Sequence, residues 1–183
     1  RRVRSVSLVT PAGEGEQYLF YRGVAHLDAL LQTELGPSEL RLRAPANLQW
    51  LTAPTTTIGA LWLVDVRPNG GVAFREIEPI AIAKDGAGRE LRRVPLFTPR
   101  DYSSDAVANL RASMKKTLRA RGLFDDEADA MLNTWDESYF RSPGLRVFYV
   151  VPPEWIAYHL PVTISTPTEL TRVLIGRIDL ALP

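Results

Sequence analysis

A chain of 183 residues, 45% hydrophobic and 23% charged, is long enough to bury one sizeable core. Its 22 basic and 21 acidic residues leave a formal net charge of +1, too small a field to draw it to nucleic acid or to an anionic membrane. The absence of cysteine excludes a disulfide framework, a thiolate metal site and a cysteine nucleophile, and no apolar run approaches the roughly 18 residues that span a bilayer.

The opening RRVRSVSLV has neither an initiator methionine nor the shape of a signal peptide, and reads as the start of a piece of a longer protein. A β-favouring run through Val3, Leu8 and Val9 stops at Pro11, and QYLFYRGVAHL is expected as the next strand. The breaker cluster Gly36-Pro37-Ser38 suits a hairpin between 30–33 and 40–43, and ELRLRA alternates leucine with charge, so one face of it is buried. Prolines and threonines over 47–57 support no regular element. IGALWLVDV is a buried strand by composition, and Asn69-Gly70-Gly71 turns it back into VAFREI. PIAIAK and ELRRVPLF bring the count to about seven short strands at the spacing of a sandwich. No long helix separates them, which argues against parallel βαβ units.

A helical pattern occupies 98–142. Ser103 or Ser104 suits the first cap, Asp105 lies in the first turn, and Val107, Leu110, Met114 and Leu118 form one apolar stripe. Lys115, Lys116, Arg119 and Arg121 fall in the last turns, with Gly122 as a left-handed stop. Asp125 is the expected second cap, followed by a stripe of Ala128, Met131, Leu132 and Trp135. LRVFYVV is hydrophobic on both alternating faces and reads as a central strand covered on both sides, with the helices as one cover. Pro152-Pro153 opens a short helix, EWIAYHL, and VTI and RVLIGRIDL supply the last strands. The expected architecture is a single α+β, mainly β domain: an antiparallel β-sandwich-like body (1–97 and 143–183) with an inserted helical hairpin (98–142) packed on one side.

Chemistry is sparse. Of the two histidines, His26 lies near Asp28 at an expected strand end, a spacing that suits a hydrolase dyad or the edge of a metal-assisted site and equally suits a solvated strand terminus. His159, just before Pro161, reads as an element end. Asp125, Asp126, Glu127 and Asp129 sit in the first turn of a helix, where carboxylates satisfy amides, rather than on the glycine-bearing loop that calcium needs. The basic residues 115–121 lack interleaved aromatics and precede that acidic turn, so nucleic-acid binding is not expected. No phosphate loop, dinucleotide fingerprint or nucleophile elbow occurs, and no cofactor or metal is implied. In strands, neighbours face opposite ways, so Phe20 and Tyr21, like Phe148 and Tyr149, cannot share one layer; one of each pair meets solvent, a helix or a partner. Arg22 is expected to pair with an acidic residue of the insert. The candidate interaction residues are Tyr21, Arg22, His26, Tyr139 and Tyr149, with Tyr139 on the outer face of the hairpin. The expected role is a non-enzymatic interaction or structural module that engages a protein partner or flanking domains of its own chain.

FYRG at 20–23, the EA..M..TW pattern from Glu127 to Trp135, LP.TI from Leu160 to Ile164 and RV..GR from Arg172 to Arg177 together resemble a family of larger bacterial proteins. That family brings no established substrate, cofactor or catalytic residue. The resemblance implies that the chain is the carboxy-terminal part of a longer, exported protein.

Overall fold

The structure is a computed structural model that describes residues 3–16 and 24–180. Its strands in chain order are β1 (Leu8–Val9), β2 (Gly15–Glu16), β3 (Gln32–Leu35), β4 (Glu39–Arg43), β5 (Thr55–Ile58), β6 (Leu61–Val66), β7 (Val72–Ile77), β8 (Ile80–Ala83), β9 (Glu90–Pro95), β10 (Gly144–Val150) and β11 (Ile175–Leu180). The helices are α1 (Ala106–Ala120), α2 (Asp125–Thr134) and α3 (Pro153–His159), and a single π-helical turn spans Glu137–Arg141. Every strand pairing is antiparallel. The fold is α+β with more strand than helix.

A four-stranded sheet of order β11-β10-β6-β7 lies between two apolar layers. Alternation along β6 and β10 divides their side chains. Leu61, Leu63, Leu145, Val147 and Tyr149 join Leu40, Leu42 and Val94 of the β3-β4-β9 sheet, Ile58, Ile80 and Ile82 of the β5–β8 pair, and Trp155 and Ile156 of α3. Trp62, Val64, Phe148 and Val150 join Leu110, Met114 and Leu118 of α1 and Ala128 and Leu132 of α2. This is the two-sided cover expected for LRVFYVV, with the apolar stripes of the hairpin on one side.

The Asn69-Gly70-Gly71 reversal is present, with Gly70 at φ +83° and the Arg67 N–H donating to the Gly71 carbonyl at 2.8 Å. Gly122 ends α1 at φ +101°, a left-handed conformation that glycine adopts without a Cβ penalty. Its N–H reaches the Arg119 carbonyl at 3.0 Å, and the Leu123 N–H reaches Leu118 at 3.3 Å, the paired bonds that satisfy the last carbonyls of a helix.

Several local expectations are corrected. Residues 17–23 of QYLFYRGVAHL lie outside the described residues, and 24–29 are irregular and exposed instead of a strand. β5 forms where prolines and threonines had argued against any element, because β8 supplies its ladder. VTI at 162–164 is irregular, and the last strand begins only at Ile175. The α1 cap is Asp105, not a serine. Phe124 caps α2 in place of Asp125, its N–H bonded to Glu127 Oε2 at 2.8 Å, so the third residue of the helix does the capping by reaching back.

Candidate functional site

Tyr139 does not face outward. It is 6% exposed, stacked on Trp135 at 6.1 Å between centroids and packed on Phe148 at 4.7 Å, because the π-helical turn folds it back onto β10. Tyr149, also 6% exposed, enters the opposite core and lies over Gly176 of β11. Burial pushes both phenols up to about 12. Phe148 and Tyr149 do part to opposite faces, but a strand between two layers has no solvent face to offer. Both tyrosines are core residues in this fold and neither lies on its surface.

Tyr21 and Arg22 lie outside the described residues. His26 and Asp28 stand on the exposed segment 24–29. Among the described residues, no group of three or more His, Asp or Glu side chains is placed to hold a metal ion. The buried convergence that a dyad or metal site at His26 calls for is not assembled there.

The buried polar groups tie layers together. Arg146, 1% exposed, donates to the carbonyls of Ser138 at 2.7 Å and Ser142 at 2.6 Å, and its Nε lies 3.6 Å from Asp179. Arg177 shares the Ser138 carbonyl at 3.0 Å and pairs with Asp179 at 2.7 Å. Burial, then the neighbouring Arg177, loosens the hold of Arg146 on its proton, yet a guanidinium stays charged at any physiological pH. The cluster fastens the π-helical turn to β10 and β11. On the same face, Trp62 Nε1 donates to Ser113 Oγ at 2.9 Å, and Ser113 donates to Glu76 Oε1 at 2.5 Å, joining the sheet to α1.

The basic end of α1 is partly neutralised, as its sequence suggests. Lys115 bridges Asp125 at 2.9 Å and Asp129 at 2.8 Å, and Arg119 approaches Asp125 at 3.3 Å. The Lys115 ammonium holds the Asp125 carboxyl below the usual carboxylate range. Phe124, 74% exposed, lines a groove with Lys115, Lys116 and Arg119, so one aromatic does stand among these cations.

A less predictable site forms just past the stop of α1. Past α3 the chain runs irregularly to Leu174, and Thr171 presses on the α1 stop, where a Cβ on Gly122 would lie 3.0 Å from Thr171 Cγ2. Arg121 rests its guanidinium on Gly59, where a Cβ would lie 2.5 Å from Nη2. The result is a cleft of about 570 Å³ between Arg121, Pro153, Ile156, Val162, Leu170 and Arg172. An adjoining hollow of about 410 Å³ shares Arg121, Pro153 and Arg172 and is floored by Val150, Val151 and Val173. Among the described residues no carboxylate lines either space. Sequence reasoning missed this site, since nothing local relates residue 121 to 172; the one signal was Arg172 at the head of RV..GR. Comparison of the chain with protein-family models, with curated proteins and with solved structures returned no match.

Proposed function

We propose that this domain is a non-enzymatic interaction module whose docking surface is α3 together with the irregular segment that follows it. One observation carries the reading. Tyr158, Val162, Ile164 and Leu170, four large apolar side chains from one short stretch of chain, are between 47% and 54% exposed, and Val162 and Leu170 line the cleft. A single exposed apolar residue is ordinary on any protein surface, whereas a run of them beside a formed cleft marks a contact face. Its occupant is a protein partner or a flanking domain of the same chain, the latter in keeping with the resemblance to longer proteins.

The test is a pair of charged substitutions, Val162→Asp and Leu170→Asp, made together. Both side chains already meet water, so the thermal transition of the purified domain stays within a few degrees of the parent. Cross-linking in native extract, followed by identification of the adduct, is expected to give one reproducible partner with the parent and none with the double variant. Equal cross-linking by both proteins refutes the assignment of this surface.

A further inference from the structure

We propose that the cleft binds an acidic polypeptide, an extended stretch in which carboxylates alternate with apolar side chains. This rests on the docking reading above and adds the chemistry of the partner.

The first support is electrostatic. Arg121 and Arg172 line one hollow, neither has an ion-pair partner among the described residues, and no Asp or Glu shares either space with them. Arg121 taken alone has a structural reason to be there, since a cation at the end of α1 complements the carbonyl end of the helix. Arg172 has no such reason. It lies on irregular chain beside Thr171, which sits against Gly122, and lines the same hollow as the first arginine. Two guanidinium groups in one hollow repel, and an anion between them converts that cost into attraction.

The second support is the lining, and the third is shape. Val150, Val151, Pro153 and Ile156 line the two hollows with the arginines, so a bare inorganic anion would leave most of the cleft unfilled. Val162 and Leu170, the outer walls, are themselves half-exposed. An open cleft of this kind cannot enclose the roughly 70–90% of surface that a small ligand buries. Two joined hollows suit a chain laid along the surface, with carboxylates on the arginines and apolar side chains on the apolar lining.

Fluorescence anisotropy with a labelled peptide of alternating leucine and glutamate tests the proposal on the whole domain. The glutamate peptide is expected to bind, a glutamine version to bind at least about tenfold more weakly, and Arg121→Gln or Arg172→Gln each to weaken the glutamate peptide by about tenfold. The double variant should no longer distinguish glutamate from glutamine. Circular dichroism of each variant is expected to match the parent, since neither side chain makes a bond within the described fold. The proposal is overturned if the glutamate peptide does not bind, if glutamine or lysine versions bind as tightly, if only a phosphoserine version binds, or if the arginine variants keep the preference for glutamate. The native partner separates the two readings. A partner lost with Val162→Asp and Leu170→Asp but kept in full by the arginine variants overturns the acidic specificity and leaves the docking surface standing. A partner indifferent to all four substitutions overturns both.

Discussion

Gly176→Ala offers the sharpest test of how the sheet is packed. Gly176 faces Tyr149 across the β10–β11 ladder, and its φ is not in the left-handed region, so alanine meets no backbone objection. The obstacle is the ring. A Cβ at this position would fall well inside contact distance of the Tyr149 ring and 2.7 Å from its Oη. The ring has nowhere to go, being 6% exposed within the core. Overpacking of this kind costs about 1–3 kcal/mol, while replacing glycine in a strand returns roughly 0.5–1 kcal/mol. The net expectation is a loss of about 1–2 kcal/mol, read as a fall in Tm of roughly 2–4 °C for each kcal/mol. Tyr149→Ala alone should cost about 3–5 kcal/mol, but in that background the new methyl enters vacated space. Gly176→Ala then stabilises by about 0.5–1 kcal/mol, so the sign reverses and the pair couples by about 1.5–3 kcal/mol. Urea melts of the four proteins, followed by tryptophan fluorescence, measure this directly. A Gly176→Ala effect of the same sign and size in both backgrounds would refute the packing argument.

Three further outcomes follow from the same structure. Ser113→Ala strips the buried Trp62 indole of its acceptor and should cost about 1–3 kcal/mol in urea melts, whereas Ser142→Ala, which keeps the carbonyl that Arg146 uses, should cost little. Gly122→Ala forces a Cβ into a φ of +101° and against Thr171, so a loss of about 1–2 kcal/mol is expected by thermal melting, and an unchanged Tm would contradict the helix-stop assignment. At alkaline pH, Tyr139 and Tyr149 are neutral in the fold up to about 12, above the ordinary phenol value of about 10 in the unfolded chain. Their contribution is therefore whole below about 10 and is lost as pH rises towards 12. Absorbance titration should show these two of the six tyrosines ionising only as near-ultraviolet circular dichroism collapses; full ionisation in an intact fold would contradict their burial.

What the chain states locally, the structure keeps. The leucine-and-charge alternation of β4, the glycine turn between β6 and β7, the two apolar stripes of the hairpin and the two-sided hydrophobicity of β10 each follow from a period or a turn chemistry contained in a few neighbouring residues. These are enough to specify an α+β domain with a helical cover. Tertiary structure decided the rest. β5, β-branched at all four positions but bounded by a proline, exists because β8 offers it a ladder. Tyr139 is interior because a π-helical turn, fastened by Arg146 of β10, rotates it onto Phe148. The cleft draws Arg121 from a helix end and Arg172 from a segment far along the chain. Period and turn type are properties of neighbouring residues, so the sequence expresses them directly, whereas the partner of a strand edge, the cover over an aromatic ring and the counter-ion of an arginine are set by whichever distant segment arrives there.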